Sequence, residues 1–330
     1  MKVVIDKAIP YIKGVLEPYA EVTYRDGGSF SRADTVDADM LIVRTRTRCD
    51  AALLDGSAVK TIATATIGFD HIDLDYCASH EIEVVTAEGC NAAGVLQWVA
   101  GVLDLESDVG MRPESTTLGI VGVGHVGSLV ERYARDWGFR VLRCDPPRAA
   151  REGGGFVSAD TLFAESDIVT LHTPFDVSTR HLLNDRTIGL MRPDGAIVNA
   201  SRGEVADTRA LLAAPQRLYL DVWENEPHID RRLLAKAVVA TPHIAGYSAQ
   251  GKANATAAVV AAAARRFGLP IAGWYPPQVR PAVRRPISWT DMRATVRDYC
   301  DLTAQSALLK SRPEAFEAMR NDYAYREEYF

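Results

Sequence analysis

Short apolar runs alternate with helix-length segments along most of the chain. In the first ninety residues the runs are Met1 to Asp6, Met40-Leu41-Ile42-Val43, Thr61-Ile62-Ala63-Thr64-Ala65 and Ile82-Glu83-Val84-Val85. Each has the length and β-branched content of a strand. The intervening segments, with a helix expected over Pro10 to Tyr19, predict βαβ units and a parallel sheet. Ala92 to Glu106 predicts one long helix. After a polar break at Gly110 to Thr117 a second series begins. Its strands are expected at Leu118-Gly119-Ile120-Val121, Val141-Leu142-Arg143, Ile168-Val169-Thr170-Leu171, Ala196 to Asn199, Leu218 to Val222 and Val238 to Thr241. Six strands with helical connectors suit a doubly wound domain. A helix from Gly251 to Phe267 would carry the chain back to the first domain. Pro270, Pro276-Pro277, Pro281 and Pro286 predict a linker over 268–286. The expected class is α/β, with two Rossmann-like doubly wound parallel-sheet domains and a short C-terminal α+β tail. One domain takes residues 1–91 and 253–285, the other 92–252, and the tail 286–330.

Composition changes this picture little. At 330 residues the chain can form two domains, and 47% hydrophobic with 24% charged residues is ordinary for a globular protein. A net charge of −6 without a basic stripe argues against a nucleic-acid partner. Met1-Lys2-Val3-Val4-Ile5-Asp6 lacks the form of a signal peptide, and the Ala-rich stretch Ala253 to Phe267 is too short to span a bilayer, so no membrane partner is expected. Cys49, Cys77, Cys90, Cys144 and Cys300 are dispersed, which fits reduced thiols in a cytoplasm and offers no metal-ligand spacing.

The chemistry lies in the second series. Gly122-Val123-Gly124-His125-Val126-Gly127 follows one expected strand and opens an expected helix, Ser128 to Trp137. This is the setting a dinucleotide fingerprint requires. Its glycines allow a tight turn, close approach of a pyrophosphate and close helix–strand packing, and the helix N-terminus offers free N–H groups. Asp145 ends the next strand 18 residues after Gly127, where a carboxylate can accept from ribose hydroxyls and so favours NAD. Arg143 and Arg148 flank it and keep a 2′-phosphate, hence NADP, as the alternative. Past three later strands stand Arg202, Glu226 and His243. Arg202 can grip a carboxylate through its planar fork. His243 can take a hydroxyl proton as the neighbouring carbon gives up hydride, and Glu226 can fix the imidazole tautomer. The trio suits oxidation of a 2-hydroxy acid. His172, Asp176 and His181 lie near another strand end; His172 is read as structural and Thr173-Pro174 as part of the cofactor-facing loop. Arg44, Arg46 and Arg48 recur with period two and would share one side if the strand at Met40 continued.

The fingerprint, Asn199-Ala200-Ser201-Arg202-Gly203, Asp221-Val222-Trp223-Glu224-Asn225-Glu226-Pro227 and Pro242-His243-Ile244-Ala245-Gly246 together resemble the D-isomer-specific 2-hydroxyacid dehydrogenases, over about residues 1–280. The resemblance implies two similar α/β domains with the active site in the cleft between them, and NAD as cofactor. It implies that Arg202 and Glu226 are active-site residues and that His243 is the proton donor and acceptor. A narrower resemblance is carried by Val43-Arg44-Thr45, Thr64-Ala65-Thr66-Ile67-Gly68-Phe69-Asp70-His71, Gly89-Cys90-Asn91-Ala92, Cys144-Asp145-Pro146-Pro147-Arg148, Tyr247 and the tail segments Arg320-Asn321-Asp322-Tyr323 and Tyr325-Arg326-Glu327-Glu328-Tyr329. It points to a branch of that family acting on a four-carbon 2-hydroxy acid with a terminal phosphate, a step toward pyridoxal phosphate. By this resemblance Thr45, Thr66 and Tyr247 contact substrate, while Asp145, Thr173, Ala200, Ser201, Arg202, Asp221 and Gly246 contact NAD; the phosphate it implies calls for a second cationic site, for which Arg44 is the candidate. It also implies a cytoplasmic homodimer. Two departures stand out. Arg202 and Glu226 are only 24 residues apart, with the shortfall expected near Ala213-Ala214-Pro215-Gln216, away from the catalytic strand ends. The tail is short for the family, which bears on dimerisation. The alternatives are a related dehydrogenase for glycerate, lactate or 3-phosphoglycerate, and a NAD-sensing corepressor-like binding protein.

Overall fold

Two parallel sheets account for all the extended structure in the computed structural model, which describes residues 1–330. The chain divides into two units, Met1–Asn91 with Ala249–Pro281, and Ala92–Ser248 with Ala282–Phe330.

In the first unit the strands are β1 (Lys2–Asp6), β2 (Glu21–Arg25), β3 (Met40–Val43), β4 (Thr61–Thr64) and β5 (Glu83–Thr86), ordered β2-β1-β3-β4-β5. The central strands are apolar runs because both faces are covered. Val3, Ile5, Met40, Ile42 and Ala63 pack with Val259, Val260, Ala262 and Ala263 of the returning helix Ala249–Phe267. Val4, Leu41, Val43 and Ile62 pack on the opposite side with Leu53, Leu54 and Cys77.

The sequence reading needs three corrections in this unit, one of them a strand it missed. Pro10 to Tyr19 is a series of turns, not a helix. Tyr11 at φ 63° and Gly14 at φ 86° reverse the backbone twice, yet Ile9, Ile12 and Leu16 are buried. Apolar spacing mimicked a helix that left-handed residues break. In its wake comes β2, an edge strand whose half-exposed, polar composition hides it from an apolar-run reading. The third correction concerns the arginines. Strand β3 stops at Val43, and the Thr47 N–H closes a turn on the Arg44 carbonyl at 3.1 Å, so Arg44, Arg46 and Arg48 do not share a strand face.

In the second unit the strands are β6 (Thr117–Val121), β7 (Arg140–Cys144), β8 (Ile168–Leu171), β9 (Ala196–Asn199), β10 (Arg217–Leu220) and β11 (Val239–Ala240), ordered β11-β10-β9-β8-β6-β7. Chain order reverses between β6 and β8, which opens a crevice at their C-terminal ends. The helix Ala92–Asp108 crosses this unit with Trp98, Val99, Val102 and Leu103 in the core. The tail is helical (Trp289–Tyr299, Leu302–Ser311 and Phe316–Asn321), and its one strand-like pairing is a bridge from Ser248 to Arg326. The chain's last side chain, Phe330, is 2% exposed and meets Tyr133 and Trp137 edge-on. Helix Thr208–Ala213 passes through Ala214, Pro215 and Gln216 straight into the start of β10. That is the opposite end of the sheet from Arg202 and Glu226.

A buried charge cluster fastens the long helix to β10. Glu106 is 1% exposed and accepts from Arg217 Nε at 2.8 Å, from Arg217 Nη2 at 2.6 Å and from the Tyr219 hydroxyl. Removing one partner strands a buried charge, which costs about 3–5 kcal/mol. Arg217→Met is therefore expected to lower the unfolding free energy by roughly that amount in urea titration. A change under about 1 kcal/mol would show that water replaces the guanidinium.

Candidate active site

The glycine loop sits beside the crevice. Gly122 has φ 82°, and a Cβ there would lie 2.7 Å from the His172 carbonyl oxygen. A Cβ at Gly127 would lie 2.0 Å from the Gly122 carbonyl oxygen, so that glycine permits the close packing of helix on strand. Gly124 has no atom within 4 Å of its Cβ position and caps the helix His125–Asp136 without a side-chain bond. The N–H groups of His125, Val126 and Gly127 thus open a 12-residue helix beside a space that an anion can fill. Across the crevice, the Thr173 hydroxyl is buried without a partner. Open space at Gly124, first-turn donors and an unsatisfied hydroxyl fit a dinucleotide pyrophosphate.

Asp145 holds the loop from the next strand. Its Oδ2 accepts from the Val123 N–H at 2.8 Å and its Oδ1 from the Arg148 N–H at 2.9 Å. A carboxylate has about four lone-pair sites, so capacity remains for ribose hydroxyls. The flanking arginines are occupied elsewhere. Arg148 pairs with both Glu152 oxygens (2.7 and 2.8 Å) and reaches the Val123 carbonyl. Arg143 pairs with Glu131, donates to the Gly155 carbonyl and lies over the Phe156 ring. These commitments favour NAD over a 2′-phosphorylated cofactor.

The loops after β9, β10 and β11 lie side by side because their strands are neighbours. Gly203 presses so close to the next loop that a Cβ would fall 2.0 Å from the Trp223 carbonyl carbon. In the first loop Asn199 Oδ1 accepts from the Ser201 N–H and hydroxyl, its Nδ2 donates to the Arg202 carbonyl, and Arg202 Nη1 donates to the Ser201 carbonyl. In the third, His243 has φ 57°, an uncommon conformation for a side-chain-bearing residue. It is held there from both ends. Its N–H donates to the Asp221 carbonyl at 2.7 Å, and its Nδ1 lies 2.8 Å from Glu226 Oε2. That leaves Nε2 as the ring nitrogen available to a substrate.

Asp221 is 1% exposed and accepts from the Thr241 hydroxyl (2.6 Å), the Ile244 N–H (2.8 Å) and the Ala245 N–H (2.9 Å). Burial pushes its carboxyl up, against the pull of His243 and these donors. Burial acts on Glu226 too, but the charge and hydrogen bond of His243, the Trp223 N–H and Arg320 outweigh it and hold Glu226 below its ordinary value. Glu226 therefore stays ionised and accepts the Nδ1 proton.

Other expected residues lie as follows. Gly246 and Tyr247 continue the His243 loop, with Tyr247 Oη 3.3 Å from Arg320 Nε. His172 bonds Thr170 Oγ1 through Nε2 at 3.0 Å, and burial holds its pKa down at about 3. His181 pairs with Glu224, and Asp176 closes its own turn through Ser178 and Thr179. In the first unit, Arg44 Nε donates to the buried Asp6 at 2.9 Å. Thr45 follows β3, and Thr66 follows β4 with its hydroxyl on Thr64 and the Gly68 carbonyl. Arg48 pairs with Asp50. Trp223, Thr241, Arg320 and Arg326 stand in segments the sequence singled out, but no role at the site was read for them. Trp223 and Thr241 looked like ordinary strand-end residues, and nothing local reveals that tail arginines reach the His243 loop.

Comparison with known proteins is consistent with this geometry. Residues 97–245 match the family model described as D-isomer specific 2-hydroxyacid dehydrogenase, NAD binding domain. The chain is 44% identical over 341 residues to erythronate-4-phosphate dehydrogenase of Bacteroides thetaiotaomicron, covering 99% of this chain and 97% of the relative. It is 38% identical to the enzyme of that name from Porphyromonas gingivalis, covering 99% and 94%. With the one from Ectopseudomonas mendocina it shares 44% identity, covering 82% of this chain and 73% of the relative. Among solved structures, the fold is shared with D-lactate dehydrogenase from Aquifex aeolicus complexed with NAD and lactic acid, at TM-score 0.66 and 24% identity, covering 86% and 100% of the two chains.

Two outcomes test the site's construction. Gly124→Ala places a methyl in open space, so the thermal midpoint should stay close to the parent's while NAD affinity falls at least about tenfold. Gly127→Ala should lower both; equal effects of the two changes would contradict the geometry. The second outcome is pH dependence. His172 stays unprotonated in the fold down to about pH 3, and His71, desolvated, to about pH 4. In the unfolded chain both take up protons below about pH 6.5. Between those limits the unfolded state binds more protons, so stability is full above about pH 6.5 and falls as pH drops. His172→Gln should flatten the fall in urea midpoint between about pH 7 and pH 5; an unchanged slope would remove His172 from this account.

Proposed function

Because the chain belongs to the erythronate-4-phosphate dehydrogenases, a branch of the D-isomer-specific 2-hydroxyacid dehydrogenases, we propose that it oxidises 4-phospho-D-erythronate at C2 with NAD. The products are (R)-3-hydroxy-2-oxo-4-phosphooxybutanoate, NADH and a proton. The step belongs to the synthesis of pyridoxal 5′-phosphate. The observation that carries the reading is the 2.8 Å bond between His243 Nδ1 and an ionised Glu226. It leaves Nε2 as the acceptor of a proton, on a loop neighbouring Arg202.

When bound, NAD supplies the hydride acceptor. The chain's own residues do the rest. Gly122, Gly124, His125, Val126 and Gly127 hold the pyrophosphate, and Asp145 the adenosine ribose. Thr173, Ala200, Ser201, Asp221 and Gly246 line the path of the nicotinamide half. Asp221 does so with what lone-pair capacity its three internal bonds leave. Arg202 grips the substrate carboxylate and so fixes C2. His243 Nε2 takes the C2 hydroxyl proton, and Glu226 stabilises the imidazolium that forms. Thr45, Thr66 and Tyr247 contact the chain of hydroxyls. Arg44, its Nε committed to Asp6, meets the phosphate through its terminal nitrogens.

We also propose a cytoplasmic homodimer. All five cysteines are free thiols, no helix is long and apolar enough to cross a membrane, and Tyr299 and Leu308 leave apolar surface exposed on the tail. The narrow family resemblance supports the pairing.

Turnover separates this reading from its neighbours. The chain should reduce NAD with 4-phospho-D-erythronate at a kcat/KM at least about tenfold above that for D-glycerate, D-lactate or 3-phosphoglycerate. Preference for any of those acids would overturn the substrate, and no turnover with any would favour a binding role. His243→Ala should lose about 10² to 10⁴ in kcat with NAD affinity kept. Arg202→Lys should raise KM about tenfold, since a point charge replaces the fork.

A further inference from the structure

The tail does more than end the chain. Arg326 is 8% exposed, and its guanidinium donates to the carbonyls of Ile244 (3.1 Å), Ala245 and Gly94 (2.8 Å). Ile244 and Ala245 are the two residues after His243. A second hold lies beside it: Ser248, at the end of that loop, donates to Glu328 Oε1 at 2.6 Å and bridges to Arg326. Six residues before Arg326, Arg320 Nη1 stands 3.6 Å from Glu226 Oε2, the same oxygen that His243 Nδ1 contacts, while its Nε lies 3.3 Å from the Tyr247 hydroxyl. Arg320 is only 23% exposed at its side chain and Glu226 17%, so water screens this pair weakly. Below, Phe330 is locked against Tyr133 and Trp137, which keeps the tail in register.

We propose that the C-terminal tail is a positioning element for the acid–base pair: Arg326 fixes the backbone that carries His243, and Arg320 holds the Glu226 carboxylate while offsetting part of its charge. The proposal rests on the roles given above to His243 and Glu226. Its physical content is a three-charge array. An imidazolium is stabilised by Glu226, and a second cation on the same carboxylate oxygen weakens the stabilisation. The charged and titratable groups packed about the pair are Asp221 on its own loop system, Arg320, Glu317 and Tyr247 around the guanidinium, and Arg326 behind Asp221. Without Arg320, Glu226 acts on the imidazole at full strength, so His243 holds its proton to higher pH. Oxidation needs the neutral ring, so the loss appears on the acid side.

Arg326 is too buried for a clean test, and Arg320 supplies one. Arg320→Met, Arg320→Lys and His243→Gln are compared with the parent chain. Two measurements are made: the pH profile of kcat/KM for NAD reduction by 4-phospho-D-erythronate, and the NMR titration of the His243 ring in the NAD-loaded protein. Arg320→Met should move both the acid limb and the ring midpoint up by about half a pH unit or more, lowering kcat/KM about threefold or more on that limb. The alkaline plateau should stay within about threefold. Arg320→Lys, keeping the charge, should return both toward the parent. A folded Arg320→Met with limb and midpoint unmoved, or a Lys variant that behaves like Met, overturns the proposal while leaving the role of His243 intact. Full turnover by His243→Gln overturns the role of His243, and the proposal with it.

Discussion

The site depends on one buried carboxylate. Asp221 follows β10 with its side chain turned into protein, and its two oxygens gather Thr241, Ile244 and Ala245, while its carbonyl receives the His243 N–H. Those four bonds bracket His243 and hold it in a left-handed conformation that costs on the order of 1–3 kcal/mol. Burying a carboxylate is unfavourable, and here three donors and the nearby imidazole offset only part of the cost. The result is an imidazole aimed by its backbone and not by rotamer choice alone.

The rest of the site follows from strand order. Neighbouring strands β9, β10 and β11 place an arginine, a glutamate and a histidine on successive loops. Gly203 lets the first two loops approach more closely than any side chain would allow. At the other side of the unit, the reversal between β6 and β8 sets the glycine loop against Thr173. One sheet thereby offers an anion-binding helix start and an acid–base pair along the same edge. The His243–Glu226 pair and the glycine loop share a rigid support, which suits the proposed hydride transfer because reacting atoms tolerate little misplacement.

Much of this was legible in the residues. Buried parallel strands are continuous apolar runs, so nearly all were found within a residue or two, and the fingerprint announced its own strand and helix. The failures have physical causes. Strand β2 is polar because it lies at an edge, and Pro10 to Tyr19 carries helical spacing on a backbone that Tyr11 and Gly14 reverse. Arg44 keeps a partner, Asp6, that no local pattern reveals. Asp221 read as a cofactor contact by resemblance; its bonds make it first of all the organiser of the His243 loop. Arg320 and Arg326 meet that loop across more than seventy residues of sequence, a separation at which periodicity carries no information.

The central claim is that Glu226 and His243 act as one unit in removing the hydroxyl proton while hydride leaves C2. Single-turnover NADH formation from 4-phospho-D-erythronate deuterated at C2 tests it most directly, comparing the parent with Glu226→Gln. An amide cannot stabilise the imidazolium, so the account predicts a hydride-transfer rate about a hundredfold lower in Glu226→Gln, with NAD affinity unchanged. Equal single-turnover rates in the two proteins would contradict it.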